Sequence, residues 1–438
     1  MGPDARSEPW LREALWQKVE QGIGNYWDPF LDYTIAKLCG LPSTVQSTEI
    51  ILNELPIKSK TAAESPSLET LASELRLIIL QSIPDFDDIM SLIRASPVFL
   101  QHYLGEKKSL LAGCLKMSLN TVLVDAMAVQ RAATLRGDKS VNRHHIQTHL
   151  NMYCLERECG ESEIEKLIKN HNEDFLFDIF LFWQTYVRPL AVRFTRLFLF
   201  RFDPQRPPIF TQLSPTENTR LLRALYRFEL YSYLFGGESR HLQLDYTEEQ
   251  MLALFFCLFR PWEVEEIFSI YTLVHDEMTT RLRMMEKKMF HNVTREFAFT
   301  GGAASWGLRG FDMVLKDTNL YSMTTIRSSS NRWTSGYGFM ENILSQRAQE
   351  RRRSIWPNDD DLAEDRGDPL PYVGESESEP SYGWVLVCKE KYLNAYGGDV
   401  KNPSPRDWGY VFWDRWRLTK FNGDKKLKSS SWVPGAAA

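Results

Sequence analysis

Two groups of side chains have the types and spacing to do chemistry. His144, His145 and His149 precede Cys154 and Cys159, and His145 and His149 stand one helical turn apart, as two ligands of a zinc ion would. The rest of that pattern is missing. No Glu follows the first His to make HExxH, the cysteines lack CxxC spacing, and Lys139, Asn142 and Arg143 make the stretch a polar surface. Ala303-Ala304-Ser305-Trp306-Gly307 approaches a nucleophile elbow, in which a strained strand-to-helix turn exposes a serine to a histidine and an acid. Its first glycine is absent and no alternation of strands and helices surrounds it, so a glycine-rich loop is the favoured reading and a serine hydrolase using Ser305 the least favoured function. No GxxxxGK[ST] loop occurs, nor a GxGxxG following a strand, which removes the common nucleotide sites. Asn292-Val293-Thr294 is a glycosylation sequon in name only if the protein is cytosolic. The expectation is no catalytic residue, no metal and no cofactor.

The elements available to position any site are helical almost throughout. The most informative run is Leu68 to Leu111, which fits three short amphipathic helices set nearly end to end. The first spans about Leu71 to Ser82, with Leu71, Leu75, Ile78 and Ile79 on one stripe, and Pro84 stops it. Asp85 is placed to cap the second, with Asp87 and Asp88 in the first turn and Phe86, Ile89, Leu92 and Ile93 apolar. Ser96 and Pro97 start the third, which carries Phe99, Leu100, Tyr103 and Leu104 and is expected to stop at Gly105. Three helices in about 45 residues bury too little to enclose their own apolar surface, so some of it should face a partner.

This run resembles an F-box. The matching positions are Leu71, Glu74 and Leu75 in the opening helix, Ile78 and Ile83 after them, then Asp88, Ile89, Leu92, Ser96 and Phe99. The family commonly has Pro after the first Leu, where this chain has Ala72. The resemblance implies that Leu71, Glu74, Leu75, Ile78, Ile83, Ile89, Leu92 and Phe99 bind a Skp-type adaptor. Through that adaptor the chain would join a cullin-based ubiquitin ligase, with the rest of the chain selecting an unknown protein target. The alternative is a non-catalytic helical scaffold or interaction protein in which the same helices are internal packing and no adaptor is bound.

Composition is that of an ordinary globular protein: 438 residues, 43% hydrophobic and 25% charged. Lys and Arg total 52 against 57 acids, a net charge of −5, so no overall basic field draws in phosphate backbones and nucleic acid is not an expected partner. Six cysteines without regular spacing, after an N-terminus that reads MGPDARSEPW rather than a secretory leader, fit a reduced cytoplasmic or nuclear setting. The most apolar region, Phe175 to Phe202, has its longest uncharged stretch from Ile179 to Val187. That is well short of the ~20 residues a bilayer needs, so neither a membrane span nor a lipid anchor is expected.

Along the chain, residues 1–65 form an N-terminal helical segment, with Trp10, Leu11, Leu15, Trp16 and Val19 at helical spacing, and then an exposed connection. The F-box-like segment occupies 66–110, and a larger irregular all-α body, the expected target-binding region, occupies 111–345. Its clearest signal is Leu213-Ser214-Pro215-Thr216-Glu217, a capping box with Pro just inside the helix. Leu221, Leu222, Leu225 and Phe228 then form one stripe and Arg220, Arg223 and Arg227 another, with Gly236-Gly237 at the end. Pro261 and the acids after it start another helix. LSPTENTRLLRALYRFELY and PWEVEEIFSIY resemble segments downstream of F-box-like runs in large uncharacterised ascomycete fungal families. Gly301, Gly302, Gly307, Gly310 and Ser328 to Ser330 mark a looser region. Residues 346–381 are expected to be a disordered acidic linker, with Arg347 and Arg351 to Arg353 on a solvated helix end or a nuclear import patch. In 382–438, Gly383 to Cys388 suits a short strand or buried turn, and Asp407 to Leu418 a Trp-rich helix that packs back on the body through Trp408, Phe412 and Trp416. A similar ending recurs in those fungal families.

Overall fold

Capping chemistry sets where most of the helices begin. In the computed structural model, which describes residues 67–83, 85–137, 140–203, 212–236, 246–289, 303–316, 339–389, 391–394, 396 and 405–429, the protein is mainly α-helical with no strand among the described residues. The segment 1–65, the sequon at Asn292 and the Ser328 to Ser330 run lie outside them. The chain folds as two compact units, one of Met1–Asn120 with His171–Phe177, the other of Thr121–Asn170 with Asp178–Ala438.

The described part of the first unit opens with a 3-10 turn, Leu68–Thr70, capped by Ser67. Helix α1 is Ser73–Ser82 and α2 is Phe86–Ala95, whose first turn is capped by the Asp85 carboxylate accepting the Asp87 N–H at 2.9 Å. The Ser96 hydroxyl caps α3, Pro97–Leu119, with Pro97 in its first turn. Leu80, Ile89, Ile93, Phe99, Tyr103, Leu110 and Cys114 close a core among these helices. Two expectations need correction. α1 begins at Ser73, with Leu71 and Ala72 in extended backbone before it. The third helix breaks at Glu106 (φ −128°, ψ 22°), one residue past the expected stop, but a second helical run follows directly and reaches Leu119, ending at Asn120 with φ 46°. Gly105 itself is not left-handed, so the break is a kink and not a glycine stop, and the run beyond it carries buried Leu110 and Cys114.

In the second unit the helices are α4 (Leu123–Gly137), α5 (Arg143–Arg157), α6 (Glu161–Asn170), the end of α7 (Glu173–Phe182), a π turn (Trp183–Val187) leading into α8 (Arg188–Phe202), and α9 (Pro215–Phe235). After these come α10 (Glu248–Leu254), α11 (Pro261–Met289) and α12 (Gly307–Lys316). α9 is the centre, packed against α4, α11 and α12, with nearly every residue from Glu217 to Phe235 buried. Its capping box is formed as the residues dictate, Glu217 taking the Ser214 N–H at 3.0 Å and Ser214 taking the Glu217 N–H at 3.1 Å. The arginine stripe does not face water. Arg227 bonds Asp125 of α4 and Glu263 of α11, each at 2.8 Å, and Arg223 holds Glu266 through two bonds of 2.6 Å. Burial alone would raise the Glu263 carboxyl, but Arg227, Arg157 and Arg223 outweigh it and hold it well below the carboxylate range.

Residues 346–381 are not a disordered linker. Ser345 caps α13 (Gln346–Ile355), and a capping box of Asn358 and Asp361 starts α14 (Asp359–Arg366), which Gly367 ends at φ 71°. Two of the arginines expected on a solvated end, Arg352 and Arg353, pair with acids expected to stay mobile, while Arg351 stays exposed and pairs with α10. Buried Arg352 holds Asp361 from both guanidinium arms, Arg353 reaches Glu364 at 2.9 Å, and Arg351 reaches Glu249 at 2.5 Å. Farther on, Arg220 takes Glu375 at 3.0 Å, and Thr121 and Thr219 donate to Glu377 at 2.9 and 3.1 Å.

The tail departs from its expected form in two places. Tyr382–Cys388, read as a strand or turn, is a helix, α15, capped by Ser381. The single helix expected over Asp407 to Leu418 is broken into a 3-10 turn (Pro405–Trp408), a run of turns, α16 (Arg415–Lys420) and α17 (Gly423–Ser429). Gly409 breaks it with left-handed backbone at φ 65°, and the Phe198 ring lies where a β-carbon would be, so that only glycine fits. Trp408, Phe412 and Trp416 therefore share no stripe. Trp408 stacks on Phe202 at 4.6 Å, Phe412 meets Phe198 at 5.4 Å, and Trp416 is 47% exposed. Buried ion pairs fasten the tail to the unit: Arg417 to Glu217 at 2.6 and 2.7 Å, and Arg406 to Glu265 at 2.7 and 2.9 Å.

Among the described residues one helical run, Pro97–Leu135, is long and apolar enough to cross a membrane, but 61% of its apolar window is buried in the protein and Asn120 breaks it. Removing one member of the α9 seam tests how much the second unit depends on it. Arg227→Ala leaves Asp125 and Glu263 buried without that partner, and is expected to destabilise the chain by about 3–5 kcal/mol in urea unfolding. Arg196→Ala, at an exposed position on α8, should cost under about 0.5 kcal/mol.

Candidate functional site

The F-box-like residues do not form one surface; the helices sort them into two. Ile89 and Phe99 are sealed in the core of the first unit, 0% and 1% exposed, against Leu80, Ile93 and Tyr103. Ile83 and Leu92 are half-buried at the edge of that core. On α1 the core-facing residue is Leu80, with Leu77 and Ile79 packed partly against the core. Leu75 and Ile78, three apart and hence on one face, stand 49% and 57% exposed. Leu71 is half-buried just before that row and Glu74 is exposed beside it. Asp88 is exposed, and Ser96 is buried with its hydroxyl bonded to the Glu69 carboxylate.

The turn that carries Leu68 and Leu71 is fixed by a residue the sequence did not single out. Arg76 of α1 donates to the Glu69 and Leu71 carbonyls at 2.7 and 2.6 Å and to His102 of α3 at 2.9 Å, pinning the entry turn across α1 to α3. The only sequence signal was a lone cation inside an apolar run. Leu68 and Leu104, 55% and 40% exposed, were likewise missed as open apolar positions. Behind the ridge, the Cys114 thiol donates to the Ile83 carbonyl at 3.6 Å, and burial pushes it up to about 12. It packs as an inert small apolar group. At Glu74, its own N–H and the Ser73 hydroxyl hold the carboxyl below its ordinary value, so the ridge carries a negative charge at neutral pH.

The other candidate residues are put to structural use. His145 closes a capping box at the start of α5: its ring Nδ1 accepts the Asn142 N–H at 3.2 Å while Asn142 accepts the His144 and His145 N–H groups. His149 is buried, donating to the Ala128 carbonyl, with its Nε2 unpartnered. Cys154 and Cys159 are free thiols, and no cluster of three possible ligands occurs among the described residues. Ser305 is 1% exposed, so its hydroxyl meets no substrate arriving from solvent. A β-carbon at Gly236 would run into its carbonyl oxygen, and at Gly307, φ 70°, into the buried Glu229 carboxylate, which accepts the Leu308 N–H at 2.5 Å. These glycines serve close packing of α12 on α9.

Compared with protein-family models, curated proteins and solved structures, the chain matches none.

Two outcomes follow from this geometry. Ala72 has φ −57° and ψ 150°, which proline adopts, and Leu71 before it is extended at φ −63° and ψ 154°, as a residue preceding proline must be. Ala72→Pro is therefore expected to leave the fold intact and to stabilise it by about 0.4–1 kcal/mol in urea unfolding. Burial, with a smaller contribution from Arg131, lowers the His149 pKa from 6.5 to about 4. The unfolded chain then takes up that proton first. The His149 contribution is complete above about pH 6.5 and is lost as the pH falls toward 4. In thermal unfolding at a series of pH values, His149→Leu should flatten the fall in midpoint across that window.

Proposed function

We propose that the protein is an F-box-like substrate receptor: the first unit docks a Skp-type adaptor, and the second unit presents a protein target to the ubiquitin ligase assembled through it. The observation that carries this reading is the division of apolar residues on α1. Leu80 completes a core that Ile89, Phe99 and Tyr103 already seal, yet Leu75 and Ile78 remain as an open ridge beside Leu71. Packing among the described residues of the unit does not need that ridge, and apolar groups left adjoining in water favour association. Burying two such side chains in a partner contributes about 1.5–3 kcal/mol each. In this reading Leu71, Leu75, Ile78 and Glu74 touch the adaptor, and Ile89 and Phe99 hold α2 and α3 behind them as positioning residues. No catalytic step is assigned to the chain itself, and the cytoplasm or nucleus is its proposed place of work.

The test is capture of a purified Skp-type adaptor by the intact chain and by Leu75→Asp with Ile78→Asp, with circular dichroism confirming that both are folded. Because both positions are already half in water, the double variant is expected to keep its fold and lose capture. Capture by neither protein would overturn the proposal and leave a helical scaffold whose α1 ridge meets some other surface.

A further inference from the structure

Charge is unevenly distributed in the second unit. The net charge of the whole chain is −5, yet Arg415 to Ser429 holds six Lys or Arg against a single acid, Asp424. Arg417 is spent internally, its side chain fully buried against Glu217. The other five, Arg415, Lys420, Lys425, Lys426 and Lys428, are exposed on α16 and α17. Lys425 and Lys428 have no carboxylate partner among the described residues. Lys426 donates to the Phe202 carbonyl at 2.8 Å, and Arg415 lies 4.9 Å over the Tyr382 ring. Trp416 on α16 is 47% exposed, with Arg417 at 4.6 Å and Lys420 at 5.9 Å over its ring. The platform is rigid: α15, α16 and α17 pack on one another, and Gly423 sits so close to the Phe202 ring that a β-carbon would collide with it.

Five exposed cations on two short helices packed against each other are costly to assemble, since like charges repel within a Debye length of about 8 Å at physiological salt. We infer that this α16–α17 face is a docking site for a short acidic peptide segment of a partner protein. The acidic side chains pair with Arg415, Lys420, Lys425 and Lys428, and one apolar side chain of the segment rests on Trp416. The surroundings select the class of partner. The Glu375 carboxylate borders the face, accepting the Arg415 backbone N–H at 2.9 Å. A membrane plane or a long nucleic acid backbone would be forced against that carboxylate, whereas a short segment fits beside it. One exposed indole is also too little for a lipid interface, where stable anchoring takes a larger apolar area. The inference gives the target class for the receptor proposed above, but the site lies in the other unit from the adaptor ridge, so either can fail alone.

The test uses the full chain and a short fluorescein-labelled peptide of Glu and Asp with one central Leu, read by fluorescence anisotropy, with the matching Gln and Asn peptide as control. The acidic peptide is expected to bind and the amide peptide not to. Binding should weaken with added salt, by about tenfold or more in Lys425→Glu with Lys428→Glu, and severalfold in Trp416→Ala. Lys166→Glu, an exposed charge reversal on α6, should leave it unchanged, and thermal unfolding should show all the variants folded. Absence of acidic-peptide binding would overturn the inference. So would binding unaffected by the double reversal, or tighter capture of phosphatidylserine vesicles or duplex DNA than of the peptide.

Discussion

Everything in the second unit answers to one constraint: α9 is buried on all sides and yet carries three arginines. A guanidinium cannot be left unpaired out of water, so each must be met by a carboxylate, and these arrive from widely separated parts of the chain. Asp125 comes from α4, Glu263 and Glu266 from α11, Glu375 from the loop after α14, and Asp414 from the turn before α16. The seam states where each of those elements must lie against α9, because a bidentate guanidinium tolerates little displacement. Apolar packing alone would accept many arrangements of helices with similar stripes. Glu217 adds the same logic at the start of α9, serving its own capping box and Arg417 together.

The parts of this arrangement written in nearest neighbours were legible. Asp85, Ser96 with Pro97, and Ser214 with Glu217 each start a helix where the residue types say one should start. Partnerships across the chain were not. Arg220, Arg223 and Arg227 form a stripe that periodicity assigns to a polar face, and only carboxylates tens to nearly two hundred positions away turn it inward. For the same reason 346–381 had the composition of a mobile tether although its charges are matched pairwise, as Arg352 and Asp361 show. Gly409 was invisible as a break because the obstacle, Phe198, lies on another element.

The candidate docking face shows a different limit. The stripe of Leu71, Leu75, Ile78 and Ile79 was correctly recognised as apolar, but α1 has a second apolar direction through Leu77 and Leu80, and the second one makes the core. Periodicity measures how apolar residues cluster around a helix axis; it does not say which cluster faces inward. Similarly, the spacing of His145 and His149 was a turn of helix and nothing more. One imidazole is a cap and the other is interior packing, and their different surroundings depend on Asn142 and on α4.

The bonds from Glu217 to Arg417 join residues 200 positions apart. A ribosome delivers the chain from its N-terminus, so α9 emerges long before the cation that neutralises the carboxylate at its start. During that interval the second unit cannot settle into its final packing. The helices around Arg417 are thus a late-arriving clasp: α9 keeps an unneutralised carboxylate at its start until they have been made.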